Sequence, residues 1–208
     1  MHVSLIITTY NRPDTLLLVL RSIELQTLTP HEVIIADDGS GNDTKAAICA
    51  FQKTSDLNII HSWQEDNGFR AAKSRNKAIA KSSSDYIILI DGDMILHPKF
   101  IQDHVNNAES GYFIQGTRVL LTKNTTSKAL KDMNIQFSFF SQGIQNRKNT
   151  IHSNFLSKLF SKKKNYLRGI KTCNMSFFKK DCTNINGFNN DFEGWGKEDS
   201  EFIVRLLN

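Results

Sequence analysis

The sequence predicts an α/β fold with a mostly parallel central sheet flanked by helices. Three observations carry that expectation. Short apolar runs alternate with helical stretches through the first half of the chain, which is the pattern of repeated βαβ units. The run Tyr86-Ile87-Ile88-Leu89-Ile90 is apolar throughout, as a strand buried in a parallel sheet should be. It stops abruptly in Asp91-Gly92-Asp93, so the strand delivers carboxylates to the carboxyl edge of the sheet, where such folds bind ligands.

The elements follow in order. A strand is expected over residues 3–9, then a helix over about 13–26. Pro13 suits the first helical turn, Asp14 lies near its positive end, and Leu16, Val19, Leu20 and Ile23 form an inward stripe. A strand at 32–36, a helix at about 43–53, a strand at 57–62, a helix at about 70–81 and a strand at 85–90 complete the alternation. Beyond these, a helix should run from Pro98 to Glu109 and a strand from Tyr112 to Thr117. From about Leu121 to Tyr166 the chain is polar, basic and weakly periodic, which reads as a mobile excursion over the edge of the sheet. Order resumes near Arg168, and Lys197 to Leu207 reads as a closing helix.

With 208 residues, 39% of them hydrophobic, the chain has enough material for one core and is expected to be a single domain over 1–208. Within it, 1–117 forms a nucleotide-binding half, 118–168 the basic excursion, and 169–208 the segment that completes the site. The net charge of +5 is moderate and no nucleic-acid motif accompanies it, so no nucleic-acid partner is expected. Cys49, Cys173 and Cys182 are too widely spaced for a zinc site or disulfide framework, and a reducing cytoplasm fits them. The chain enters a strand at once, with no leader pattern and no apolar run long enough to span a membrane.

Three polar clusters end three strands: Thr8-Thr9-Tyr10-Asn11-Arg12-Pro13, Asp37-Asp38-Gly39-Ser40 and Asp91-Gly92-Asp93. In a parallel sheet the strand carboxyl ends share one edge, so the clusters converge. Alternation along a strand would point Asp91 and Asp93 the same way, with Gly92 adding no bulk between them. Paired acids of this kind suit a hard divalent cation, although an acidic turn is the plainer alternative, and Asp37-Asp38-Gly39-Ser40 reads equally as a helix-capping turn.

On the third helix Ala72, Arg75, Asn76 and Ile79 share the stripe that should face the sheet. A charge there needs a partner: either it pairs structurally with Asp37, Asp38 or Asp91, or it helps hold a base and phosphates, with the small Ala71 and Ala72 allowing close approach, and the two readings are compatible. Near the end, Asp199, Phe202, Ile203 and Leu206 repeat at helical spacing, which turns the Asp199 carboxylate inward. It reads either as a general base or as an acid favoured by the helix N-terminus. Trp195, between glycines, reads as a sugar-stacking platform or a packed aromatic.

Taken together these motifs resemble the inverting family 2 glycosyltransferases of the GT-A fold, over residues 3 to 117. The stretch Gly187-Phe188 through Gly194-Trp195-Gly196-Lys197-Glu198-Asp199 resembles the carboxyl-terminal motif of β-1,4-galactosyltransferases and chondroitin-polymerase-type enzymes. The resemblance implies that Thr8, Tyr10, Asp37 or Asp38, and Arg75 hold the uridine of a UDP-sugar donor, with Asp91 near the ribose or metal. It implies that Asp93, with Asp91, binds Mn²⁺ or Mg²⁺. Asp199 would deprotonate the acceptor hydroxyl, Glu198 would orient a sugar, and Trp195 would pack on a sugar face. Related enzymes add a metal ligand, often a histidine, beyond this helix. The chain stops at Asn208, so truncation is expected, with His97 and His152 the only histidines to consider as substitutes.

The implied activity is metal-dependent, inverting transfer from a UDP-sugar to a glycan or lipid-linked acceptor in bacterial surface polysaccharide or lipopolysaccharide synthesis. A non-catalytic nucleotide-sugar-binding or partner-binding module of a larger polymerase is the alternative. A nucleotidyltransferase would need a glycine-rich phosphate loop near the N-terminus, and Thr8 to Pro13 offers none. Finally, Phe155, Leu156, Leu159 and Phe160 at helical spacing, followed by Lys162 to Lys164 and Arg168, form an amphipathic basic segment. It reads as a helix packed on the core with a solvated charge run, or as a peripheral contact with the inner face of a membrane.

Overall fold

A computed structural model describes residues 1–163, 170–194 and 196–207. A six-stranded sheet runs in the order β3-β2-β1-β4-β8-β5. Four strands are parallel: β1 (Val3–Thr9), β2 (Glu32–Asp37), β3 (Ile59–Trp63) and β4 (Tyr86–Asp91). β8 (Asn174–Phe178) pairs antiparallel with β4, and β5 (Ile114–Gln115) pairs antiparallel with β8, so β8 alone runs against the other five strands. The sheet is therefore mixed but mostly parallel, as expected from the alternation in the first half.

Side-chain alternation divides the core into two layers. Leu5 and Ile7, Val33 and Ile35, and Ile88 and Ile90 pack with α1 (Pro13–Glu24), Ile48 of α2 (Asn42–Gln52) and Ile101 of α4 (Phe100–Asn106). Ile6, Ile34, Ile87 and Leu89 face the other way, onto α3 (Ala71–Lys81), α7 (Lys179–Asn184) and α8 (Glu198–Leu207). Because both faces are covered, the central strands have no polar side to show, and β2 is buried at every position.

The sheet order reverses at β1. From there the chain steps out through β2 to β3, then crosses back to place β4 on the other side of β1. The carboxyl ends of β1 and β4 thus flank the topological switch point, with Thr8 and Asp91 in register.

Five differences from the sequence reading matter. The fourth helix begins at Phe100, not Pro98, and β5 is only two residues long because it pairs with β8 alone. The strand β8 was not expected, since Asn174 and Ser176 give it polar residues where a surface would be. Those residues instead face buried His104 of α4: its Nε2 lies 3.0 Å from Asn174 Oδ1 and its Nδ1 2.7 Å from Ser176 Oγ. The stretch read as an irregular excursion contains β6 (Leu120–Leu121) paired with β7 (Ile144–Gln145), α5 (Lys123–Asp132) capped by Thr122, a 3-10 turn at Arg147–Thr150 and α6 (Asn154–Phe160). Last, α6 is not packed on the core. Phe155 and Phe160 are among the most exposed large hydrophobic side chains.

The His104 contacts fix its tautomer. Asn174 Nδ2 donates to Thr117 O, leaving Oδ1 to accept from Nε2–H, so Nδ1 accepts from Ser176, whose oxygen is also 2.7 Å from Tyr86 Oη. Burial holds its pKa down at about 4, against 6.5 when unfolded, although Asn174 and Asp103 oppose the shift. The unfolded chain therefore binds the extra proton first, and folding stability falls as pH drops from about 6.5 toward 4, by at most about 1.4 kcal/mol per pH unit. Urea melts at pH 7, 5.5 and 4.5 should show His104→Gln losing that part of the slope; equal slopes in both proteins would assign it elsewhere.

Candidate functional site

The carboxyl edge gathers side chains from β1, β4 and α8 around one cation carried by α3. Arg75 is 5% exposed. Its Nε donates to Thr8 Oγ1 at 3.2 Å, and its Nη1 lies 3.4 Å from Glu198 Oε1 and 3.3 Å from Asp199 Oδ1. Its Nη2 is 3.7 Å from Asp91 Oδ1. One guanidinium thus links the end of β4 to the first turn of α8, more than a hundred residues away. The expectation that Arg75 pairs with Asp91 holds, whereas Asp37 and Asp38 are not its partners.

Asp37 and Asp38 serve the loop instead. Asp37 is fully buried; Oδ1 accepts from the Ser40 amide at 2.8 Å and Oδ2 lies 2.7 Å from His61 Nε2. Burial pushes its carboxyl up, but His61 and Ser40 outweigh that and hold it below the usual range. Asp38 accepts from Gln64 Nε2 at 2.6 Å and from the Arg70 amide at 2.7 Å, yet burial prevails and its pKa is raised. Between β2 and α2, Gly39 has φ +99, and a Cβ there would stand 2.5 Å from Asp66 Cα. Only glycine fits that approach. It brings Asp66 close enough for the half-exposed Tyr10 to donate to its Oδ2 at 2.9 Å.

Asp91 and Asp93 are not co-oriented by strand alternation, because β4 ends at Asp91 and the chain turns, with Met94 N bonding Asp91 O at 3.2 Å. The turn keeps them close enough for the charge of Asp93 to act on Asp91. Burial in the crevice pushes the Asp91 carboxyl up to about 6, against the pull of Arg75, with Asp93 and Asp199 adding to the rise. What Gly92 accommodates is β1: its amide donates to Thr8 O at 2.8 Å, and a Cβ would meet Thr8 O at 3.0 Å.

Asp199 is anchored as well as charged. Oδ2 accepts from the Thr172 amide at 3.0 Å and Oδ1 from the Thr172 hydroxyl at 2.9 Å. Thr172 was not singled out from the sequence; it precedes the unexpected strand β8. Asn76, beside Arg75, clamps the preceding turn. Its Nδ2 donates to Phe188 O at 2.7 Å and Asn190 Oδ1 at 2.8 Å, while Oδ1 accepts from Phe188 N at 2.8 Å. Phe188 then stacks on Phe202 of α8 at 4.0 Å and lies 5.6 Å below the Arg75 guanidinium. Two neighbouring side chains of α3 therefore dock the tail, Asn76 by neutral hydrogen bonds and Arg75 by charge. Trp195 lies outside the described residues.

Several buried polar atoms at this edge lack a hydrogen-bond partner among the described residues: Thr9 Oγ1, Gln64 Oε1 and Glu198 Oε2. Such atoms are costly unless a ligand or water meets them; Thr44, Ser62, Ser74 and Ser84 carry others, so it is the switch point itself that marks this edge for a ligand. For a divalent cation the fit is chemical. Asp91 and Asp93 offer hard oxygens, and burial together with the nearby charges of Asp93 and Asp199 disfavours a bare Asp91 carboxylate, which a cation would relieve. No group of three His, Cys, Asp or Glu side chains that could hold a metal occurs among the described residues, so two carboxylates would need substrate phosphates and water to fill the shell, as is usual for Mg²⁺. His97 and His152 do not supplement them: the rings stack at 4.7 Å, and His152 Nε2 lies 2.9 Å from Asp103 Oδ2.

Known proteins share this architecture. The chain is 29% identical over 224 residues to the hyaluronan synthase of Pasteurella multocida, which covers 98% of this chain and 22% of that protein. The chain thus spans about a fifth of that relative's length. Its fold is similar to residues 1–349 of S. aureus TarS in complex with UDP-GlcNAc, with TM-score 0.60 and 16% identity over 100% of this chain and 53% of the other. It is also similar to a mannosyltransferase from Pyrobaculum calidifontis in complex with GDP-Man and Mn²⁺, with TM-score 0.65 and 16% identity over 99% of this chain and 51% of the other. Those likenesses place the fold as GT-A. The sequence profile described as Glycosyl transferase family 2 matches residues 4–181, and the chain belongs to that family.

Proposed function

We propose that the chain moves a hexosyl or N-acetylhexosaminyl group from a UDP-sugar to a hydroxyl of a glycan or lipid-linked acceptor, with inversion, in the synthesis of bacterial surface polysaccharide or lipopolysaccharide. The observation that carries this reading is the ion cluster in which Arg75 joins Asp91 at the switch point to Glu198 and Asp199 at the start of α8. It puts a candidate base beside the crevice where a nucleotide diphosphate belongs. The similarity to a hyaluronan synthase supports a polysaccharide-forming role.

In this reading Thr8, Tyr10 and Asp38 line the uridine pocket, and Asp37 shapes it from beneath through Ser40 and His61. Asp91 and Asp93 would hold Mn²⁺ or Mg²⁺, which when bound offsets charge on the leaving diphosphate. Asp199, fixed by Thr172, takes the proton from the acceptor hydroxyl as its oxygen attacks the anomeric carbon from the face opposite the leaving group. Opposite-face attack inverts that carbon. Glu198, whose Oε1 lies 3.4 Å from Arg75 Nη1, would orient a sugar, and Trp195 would cover a sugar face.

The test is UDP-sugar turnover across a panel of donors with and without Mn²⁺. Removing metal with EDTA should stop turnover and added Mn²⁺ restore it, while Asp93→Ala should lower it by about a hundredfold or more, the scale expected when a positioned electrostatic partner of the leaving group is lost. Metal-dependent turnover untouched by Asp93→Ala would sink the assigned metal site. Donor binding without turnover in the unaltered protein would favour a binding module of a larger polymerase.

A further inference from the structure

Charge is divided unevenly along this chain. Residues 133–180 contain ten Lys and Arg and no Asp or Glu, so the remainder carries a net charge of −5 within the overall +5. The same stretch holds a dense group of exposed large hydrophobic side chains: Phe140 at 86%, Phe155 at 75%, Phe160 at 71% and Leu159 at 62%. Three of these lie on α6, where Phe155 and Leu159 are one turn apart and Leu156 and Phe160 repeat the offset, which makes one apolar side.

Residues 155–160 of this helix are all exposed, so none of them holds it against the core. Seven residues cannot sustain a helix in water by propensity alone, so its apolar side lacks the cover that would stabilise it. Its flanks are nevertheless fixed. Before it, His152 pairs with Asp103 of α4 and stacks on His97; after it, Lys163 Nζ lies 2.7 Å from Glu109 Oε1. The segment is tethered alongside α4 with its apolar side chains turned to solvent. Lys158 and Lys162 stand within and just after it, in ion pairs with no acidic group among the described residues.

We propose that α6 and its lysines form a surface that docks on an anionic lipid bilayer, with Phe155, Leu156, Leu159 and Phe160 entering the headgroup and acyl boundary and Lys158 and Lys162 meeting lipid phosphates. A helix whose own segment carries cations and no acid, with the neighbouring Asp103 and Glu109 already paired, and which is studded with aromatic and aliphatic side chains, has the chemistry of an interfacial helix. Among the described residues no helix is long and apolar enough to cross a membrane, so the contact is peripheral. The inference does not depend on the proposed transfer reaction, because vesicle binding is read without any substrate.

Co-sedimentation with vesicles of phosphatidylcholine alone, or with about a third phosphatidylglycerol, tests it. The protein should partition at least about tenfold more strongly onto the anionic vesicles, and added salt should erase that preference. Phe155→Ser/Leu159→Ser/Phe160→Ser should lower binding about tenfold or more; Lys158→Ser/Lys162→Ser should remove most of the dependence on anionic lipid. Both variants should keep the unaltered thermal melt, since the replaced side chains are exposed. Failure to bind either vesicle overturns the proposal, as does binding that neither variant changes. Self-association in sedimentation that the triple variant abolishes, without vesicle binding, would assign the surface to a second copy of the chain.

Discussion

Asp199→Asn is expected to lower the rate of sugar transfer by roughly 10²–10⁴-fold, the usual contribution of a positioned general base, while leaving UDP affinity within a few-fold. The contacts explain both halves. Asp199 accepts from the Thr172 amide, the Thr172 hydroxyl and Arg75, which fix its direction while leaving about one lone-pair site, on Oδ2, free. Asparagine keeps the shape and one acceptor but has no basic oxygen. Its amide group must face either the Thr172 amide or the Arg75 fork, each a donor, so a cost of about 1–3 kcal/mol in stability should accompany the loss. Single-turnover transfer at saturating donor, paired with calorimetric UDP binding, separates the two effects. A rate within about threefold of the unaltered protein would remove Asp199 as the base.

The parts legible in the sequence were those in which one chain segment determines its own outcome. The strand ends at Thr8, Asp37 and Asp91 could be placed on one edge because parallel strands connected by helices share direction. The inward stripe of α3 was legible for the same reason, so Arg75 and Asn76 were known to need partners. Which partners they meet depends on sheet order and on how residues 186–199 fold back, and no local pattern encodes either. Hence Asp37 and Asp38 were weighed equally with Asp91, although the crossing from β3 to β4 puts Asp91 beside β1 and leaves the other two in the β2 loop. The strand β8 was missed because alternation normally separates core from solvent. Here Asn174 and Ser176 face a second buried layer, where His104 satisfies them. Thr172 was missed with it. The apolar spacing of residues 155–160 was visible, but spacing does not say whether a face meets a core or something else, and only the fold shows these side chains uncovered.

Replacing Arg75 by methionine is expected to cost about 3–5 kcal/mol of stability, the largest effect of any single change in this site, because it removes the cation and leaves its anions buried. The Glu198 side chain is 8% exposed and Asp199 23%, so water does little to screen them, whereas Asp91 at 39% is partly relieved. For a domain of this size such a loss lowers the melting temperature by roughly 10 °C. Asp91 should also become harder to ionise, since Arg75 is what holds its carboxyl down. Removing a buried anion together with the cation separates charge from packing. If the cost is an unpaired carboxylate, Arg75→Met/Glu198→Gln should recover a substantial part of the stability lost in Arg75→Met, and the two changes should be strongly non-additive. Arg75→Lys should fall between, because one ammonium cannot span Thr8, Asp91, Glu198 and Asp199 as the planar fork does. Equal destabilisation in the single and double variants would show instead that Arg75 acts mainly by covering the Phe188 ring 5.6 Å away, and that the tail is docked by Asn76 and the Phe188–Phe202 stack rather than by charge.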